Sequence, residues 1–141
     1  MSPIRIAIIG LGKGSQAFDF WAAQIHLPYL QASPDFEVTA ICNSTVESAQ
    51  ASIDFHKLPR TVKAYGSVND LTLDANVDMV LISVRVGAHY ELSKPLIESG
   101  KDLFVEWPLA ATPEEAEELV ETIYLYLTRS ANRIAFYCRI C

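Results

Sequence analysis

The sequence predicts an α/β chain, a single doubly wound and mostly parallel sheet of Rossmann type. Three observations lead there. Short apolar runs rich in β-branched residues recur along the chain, stretches of helical spacing separate them, and the first run stops at a glycine-rich turn, Gly10-Leu-Gly12-Lys-Gly14. Strands apolar throughout belong in a sheet covered on both faces, and right-handed crossovers leave few ways to wind one. With 141 residues the chain has room for one such domain.

Each element has its own warrant. Ile4–Ile9 reads as a buried strand ending at Gly10, and 20–30 reads as a helix with Trp21, Ile25 and Leu30 near one face. Phe36–Cys42 is the second strand; Val46, Ala49, Ile53 and Leu58 then mark a second helix. A weaker strand lies at 61–65 and stronger ones at 77–83 and 102–106. Between the last two, 89–99 carries Leu92, Leu96 and Ile97 before Gly100 stops the helix. Thr112-Pro-Glu-Glu115 opens another helix, with Thr112 as N-cap, Pro113 at the first helical position and Glu115 reaching back as a capping box. Residues 122–127 suit a helix extension and a strand equally, and 133–138 read as a sixth strand.

Composition excludes several classes. Half the residues are apolar and 20% are charged, which is not the make-up of a disordered chain. No apolar run approaches the roughly 20 residues of a membrane helix. The opening Met1-Ser-Pro-Ile-Arg-Ile leads straight into a strand, so no targeting peptide is expected and the cytoplasm or nucleus is the expected compartment. The net charge is −6, and the stretch to Glu121 carries −9 while the last 20 residues carry +3. An acidic body argues against direct nucleic-acid binding. Cys138-x-x-Cys141 has no partner ligands nearby for a metal and no following helix for a redox motif, so with Cys42 these cysteines read as reduced and mostly structural; no metal is expected, and acids 114, 115, 117, 118 and 121 read as a solvated helix face.

The glycine turn carries the chemical signal. After a first strand, Gly10 permits a tight turn and Gly12 lets main-chain N–H groups approach a diphosphate, with Gly14 and Ser15 completing the cradle. The usual third glycine, three positions after Gly12, is Ser15 here. Where many such folds end the second strand in an acid that meets the ribose, this chain has Asn43 and Ser44. No carboxylate repels a 2′-phosphate there and no arginine stands beside it to attract one, so NAD and NADP both remain open. Asn43-Ser44 as a simple helix cap is an equal alternative.

These residues together resemble a known family. Ile9-Gly-Leu-Gly12, His26-Leu-Pro28, Val77-Asp78, His89 and Gly100-Lys-Asp-Leu-Phe-Val-Glu-Trp-Pro-Leu-Ala110 look like the N-terminal nucleotide-binding domain of the glucose–fructose oxidoreductase / inositol 2-dehydrogenase / MocA family, over residues 3–121. Phe104-Val-Glu-Trp107, the His89-Tyr90 pair and the long glycine loop resemble its fungal branch, which is similar to the galactose-pathway transcriptional repressor. The resemblance implies a dinucleotide, NAD or NADP, and a sugar- or polyol-like substrate held against a second domain. The family usually has Glu-Lys-Pro where this chain has Glu106-Trp107-Pro108, and an indole cannot exchange a proton as that lysine does. Trp107 can instead stack on the nicotinamide, wall the pocket or simply pack at a strand end.

His89 and Glu106 are the candidate catalytic groups, with His89 as a helix-end hydrogen-bonding residue the alternative. Arg85, standing where the family usually has proline, can reach a cofactor phosphate or lie along the sheet end. His26 reads as part of a shaped helix segment and His56 as a surface residue. The domain is expected to span 1–121, followed by a divergent tail at 122–141, and the change there predicts a truncated gene product that lacks the substrate domain. Uncovered apolar surface then predicts self-association. Three functions follow: an oxidoreductase domain, a regulator that binds dinucleotide without turnover, or a fragment with no activity of its own.

Overall fold

The structure, a computed structural model, describes residues 2–14 and 20–129. Five parallel strands form one sheet in the order β3-β2-β1-β4-β5: β1 (Ile4–Ile9), β2 (Phe36–Cys42), β3 (Lys63–Tyr65), β4 (Met79–Ile82) and β5 (Asp102–Val105). Helices α1 (Leu27–Ala32), α2 (Val46–Phe55), α3 (Val68–Thr72), α4 (His89–Glu98) and α5 (Pro113–Arg129) connect or follow them. This is the doubly wound Rossmann-like sheet that the apolar strands and intervening helices predict. The strand at 133–138 lies outside the described residues.

Strand alternation divides the core in two. Ile6 and Ile8 of β1 point toward Leu27, Leu30, Ala49 and Ile53 on one face. Ala7 and Ile9 point the other way, toward Leu96, Ile97, Leu119 and Ile123. Both layers are needed, because a parallel sheet this apolar would otherwise expose half its side chains to water.

One helix departs from its predicted face. Trp21–His26 is a π-helical segment running directly into α1, and its buried residues are Ala22 and Ala23, while Trp21 and Ile25 are exposed. The wider π turn rotates each side chain from the place a 3.6-residue period assigns it. Small alanines therefore face the sheet. The start of α5 follows its sequence signals: Glu115 N–H donates to Thr112 Oγ1 at 3.2 Å, and Glu115 Oε2 accepts from Ala111 N–H at 3.1 Å, one residue earlier than a strict capping box. Gly100 ends α4 as predicted, with Gly100 N–H bonded to Ile97 O and Lys101 N–H to Leu96 O. The two readings of 122–127 resolve as helix, since α5 continues to Arg129.

The amino edge of the sheet is tied by charge. Arg5 Nε donates to Asp78 Oδ2 at 2.8 Å and its Nη2 to Oδ1 at 2.6 Å, while Asp78 N–H returns a bond to Arg5 O at 2.8 Å. That fork joins β1 to the entry of β4. Nearby, the buried Asp74 accepts from Lys63 Nζ at 3.1 Å, Tyr65 OH at 2.8 Å and Asn76 N–H at 2.9 Å. Burial alone would raise the Asp74 pKa, but these three donors outweigh it and bring it from 3.8 down to about 2. Burial and the same bond push the Tyr65 hydroxyl up to about 12.

A carboxylate whose folded pKa lies below its unfolded value stabilises the fold above the unfolded value and loses that contribution as pH falls through the folded one. Asp74 and Asp78 both lie on that side. Urea midpoints are therefore expected to drop between about pH 4 and about pH 2. Asp74→Asn should be less stable at neutral pH and flatter across that window; an unchanged acid limb would contradict the assignment.

Candidate functional site

The strand register brings five chain segments to one edge. Ile9 pairs with both Cys42 and Ile82, Cys42 with Tyr65, and Ile82 with Val105. The residues that follow, Gly10, Asn43, Gly66, Ser83 and Glu106, therefore lie in a row at the carboxyl edge. The ladder continues through four of them, with Gly10 N–H on Cys42 O, Asn43 N–H on Tyr65 O, Ser83 N–H on Ile9 O and Glu106 N–H on Ile82 O. In open α/β sheets this edge, where strand order reverses, is where ligands bind.

A cleft of about 450 Å³ opens there, bordered by Gly10, Gly12, Asn43, Ser44, Ser83 and Val84. Gly10 makes it possible. Its φ is +92°, and a Cβ there would collide with the Ser83 carbonyl oxygen and come within 2.5 Å of Val84 Cγ1. Gly14 also has positive φ, but a Cβ there would meet Gln24 Nε2 at 2.6 Å, so it lets the chain pass close to the π-helical segment. Ser15 lies outside the described residues.

The Asn43 side chain does not cap α2. Thr45 is the cap, accepting from Ser48 N–H at 3.1 Å. Asn43 Nδ2 instead donates to Leu11 O at 3.0 Å and to Ser52 Oγ at 3.1 Å, which fixes the orientation of the amide. Its Oδ1 is buried without a partner. An acceptor left in that state costs stability unless a donor arrives. Asn43 and Ser44 both border the cleft, and an unpartnered acceptor suits a sugar hydroxyl. Together the glycine-rich turn and the orphaned acceptor fit the diphosphate and ribose of a dinucleotide. Cys42, also on the cleft wall, has its thiol pushed up to about 11 by burial and by Asp70, so it stays protonated and inert at neutral pH.

The far end of the row holds a polar cluster that sequence spacing does not reveal. Glu106 Oε1 accepts from Ser83 Oγ at 2.7 Å and lies 2.8 Å from His26 Nε2. The side chains of His26 and Glu106 are about one-fifth exposed, at 19% and 20%. His26 also packs edge-on against Phe104, with ring centroids 5.5 Å apart. His89 is buried, its Nδ1 2.9 Å from Pro108 O and its Nε2 3.0 Å from Val84 O. Both ring nitrogens are thus occupied by main-chain carbonyls. Trp107, 76% exposed, follows β5 and precedes Pro108 through a cis peptide bond. Arg85, exposed, stands at the N-cap position of the 3₁₀ turn Val86–Ala88 after β4, without a side-chain capping bond.

Sequence reasoning also misses His56. It is half-buried rather than a surface residue, and its Nε2 lies 2.6 Å from Gly12 O. The only sequence hint is its spacing from Ser52, one helical turn along α2. Among the described residues, no group of His, Cys, Asp and Glu converges as a metal site, and no helix is long and apolar enough to cross a membrane.

The fold and this edge define a dinucleotide-type Rossmann domain. Residues 4–124 match the family described as "Oxidoreductase family, NAD-binding Rossmann fold", and the chain belongs to that family, the Gfo/Idh/MocA proteins. It is 37% identical over 118 residues to the dehydrogenase aclE of Aspergillus oryzae, covering 84% of this chain and 32% of that protein. It is 34% identical over 125 residues to the galactose/lactose metabolism regulatory protein GAL80 of Saccharomyces cerevisiae, covering 84% and 28%. A crystal structure of a super-repressor mutant of Gal80p from the same yeast superposes with a TM-score of 0.76 at 30% identity, over 88% of this chain and 32% of that one. The chain thus spans about a third of the length of the relatives it matches.

Gly10→Ala is expected to cost about 2 kcal/mol in urea unfolding, from φ strain and the collision with Ser83. Full wild-type stability would show that the turn relaxes freely. Glu106→Ala leaves Ser83 Oγ and His26 Nε2 without their shared acceptor and is expected to cost about 1–3 kcal/mol; a neutral result would mean the cluster contributes no ordering.

Proposed function

We propose that this chain is the NAD(P)-binding portion of an oxidoreductase-type protein whose whole-protein activity moves hydride on a sugar- or polyol-like substrate. The observation that carries the reading is the side-chain-free crossover at Gly10 opening onto a cleft with an unpartnered buried acceptor, Asn43 Oδ1. Gly10, Gly12 and Gly14 shape a main-chain cradle for the diphosphate, with Ser15 as a further contact. Asn43 Oδ1 and Ser44 take the ribose. Arg85 meets a phosphate from the β4 side. Glu106, held by Ser83 and His26, lies at the nicotinamide end, and Trp107 walls that end against water. His89 acts by position, its buried ring lodged between the Val84 and Pro108 carbonyls and donating to one of them. The bound nicotinamide supplies the hydride chemistry; the protein's part is to hold and orient it.

Relatives support the substrate class. The chain is 30% identical over 121 residues to the D-glucoside 3-dehydrogenase of Escherichia coli. A 3-ketoreductase from Actinomadura kijaniata, solved with NADP and TDP-benzene, superposes with a TM-score of 0.72 at 25% identity over 88% of this chain.

A second reading has its own observation. Trp107 stands where the resemblance calls for a proton-exchanging lysine, and the kinship to GAL80 is nearly as close as that to aclE. In that reading the protein binds dinucleotide without turnover and contacts a transcription factor.

Titration of NADH and NADPH into the chain, followed by nicotinamide fluorescence, tests the shared part. Saturable binding with submillimolar affinity is expected for at least one; no binding of either would overturn both readings. Assays of a polyol and sugar panel on a form carrying the second domain then separate them, turnover supporting the enzyme and binding alone supporting the regulator.

A further inference from the structure

We infer that α2 is a clamp that sets the phosphate-binding conformation of the glycine turn, with Asn43, Ser52 and His56 as its positioning residues. The inference rests on the dinucleotide reading above. It starts from the carbonyls of the turn. Leu11 O accepts from Ser52 Oγ at 2.6 Å and from Asn43 Nδ2 at 3.0 Å. Gly12 O lies 2.6 Å from His56 Nε2. The ammonium of Lys13 then sits 5.6 Å over the centre of the Phe55 ring. Three consecutive residues of the turn are thus gripped by the last turn of α2 and its C-cap residue, His56, since positions 52, 55 and 56 are spaced i, i+3 and i+4.

The grip has a directional consequence. In a trans peptide the N–H points opposite to the C=O of the same plane. Drawing the Leu11 and Gly12 carbonyls onto α2 therefore turns the Gly12 and Lys13 N–H groups to the other side, as an anion-binding turn requires. The turn supplies no side chain for this purpose; the helix does the orienting. Ser52 is 4% exposed, and its hydroxyl accepts from Asn43 Nδ2 at 3.1 Å while donating to Leu11, so the three groups form one polarised chain.

This gives the asparagine at the end of β2 a role that an acid could not fill. A carboxylate there accepts only, and would face the Leu11 carbonyl with no proton to offer. The amide donates to the turn through Nδ2 and keeps Oδ1 for a ligand. Asn43→Asp therefore separates two ideas. If position 43 serves the ribose alone, the added acceptor tightens NADH. If it serves the clamp, NADH weakens.

The test measures NADH, ADP and adenosine binding to the chain and to Ser52→Ala, His56→Phe and Asn43→Asp, by fluorescence for NADH and NMR titration for the others. Each variant is expected to lose roughly tenfold in NADH and ADP affinity, a change of one hydrogen bond's order, while adenosine stays within about twofold for Ser52→Ala and His56→Phe, which touch no part of the ribose. His56→Gln, which keeps a donor, should recover most of the loss. Thermal midpoints measured without ligand identify any variant that fails to fold, and the remaining variants carry the comparison. Parent-like NADH and ADP binding, or an equal loss for adenosine in Ser52→Ala and His56→Phe, would overturn the clamp while leaving the dinucleotide reading intact. A parent chain that binds none of the three would overturn that reading and the clamp with it.

Discussion

At the end of β1 the backbone passes so close to the end of β4 that no side chain fits between them. That approach at Gly10 is the constraint on which the rest of the carboxyl edge depends. It lets Ser83 N–H close the ladder on Ile9 O while the chain turns out of the sheet toward α2. A side chain at Gly10 would push the turn outward, and the contacts from Ser52 and Asn43 to Leu11 could not be made in this geometry. Leu11 itself is buried among the α1 and α2 side chains, so the turn is fixed by core packing on one side and polar bonds on the other.

The two edges of the sheet are built on opposite principles. At the amino edge, charge is neutralised in place: Arg5 meets Asp78, Asp74 gathers three donors, and Lys101 Nζ bonds the main-chain oxygens of Asp74 and Val77 at 2.7 Å each. Such partially buried, hydrogen-bonded pairs are structural, and removing one partner costs more than the pair contributes. At the carboxyl edge polar groups are held but not exhausted. Asn43 keeps an unpartnered oxygen and Trp107 faces solvent beside the Glu106 cluster. The amino edge is closed by paired charge, and the carboxyl edge leaves polar groups facing a cleft.

Much of this architecture was legible in the sequence because short-range patterns decide it. The apolar runs became strands, Thr112-Pro113 opened α5, Gly100 closed α4, and Gly10 and Gly12 came to border the cleft with Asn43 and Ser44. What stayed hidden depends on pitch or on distance along the chain. Nothing in Trp21–His26 announces a π turn, so a 3.6-residue period puts Trp21 and Ile25 on the apolar face where the structure has Ala22 and Ala23. His26 and Glu106 are 80 positions apart and His56 and Gly12 are 44 apart; only the closed sheet brings either pair within bonding distance. The composition change after Glu121 leaves no mark on α5, which runs unbroken through it.

Membership of the Gfo/Idh/MocA family accounts for the fold, and within it Asn43 stands at the end of β2 and Trp107 just beyond β5. The central claim is that exposed main-chain amides of the first crossover receive a diphosphate. Backbone amide shifts recorded while NADH is added test it most directly. The account predicts that the largest changes fall on Leu11, Gly12, Lys13 and Asn43, with the Arg5–Asp78 edge unmoved. Changes concentrated at that amino edge, or absent from residues 10–14 at saturation, would contradict it.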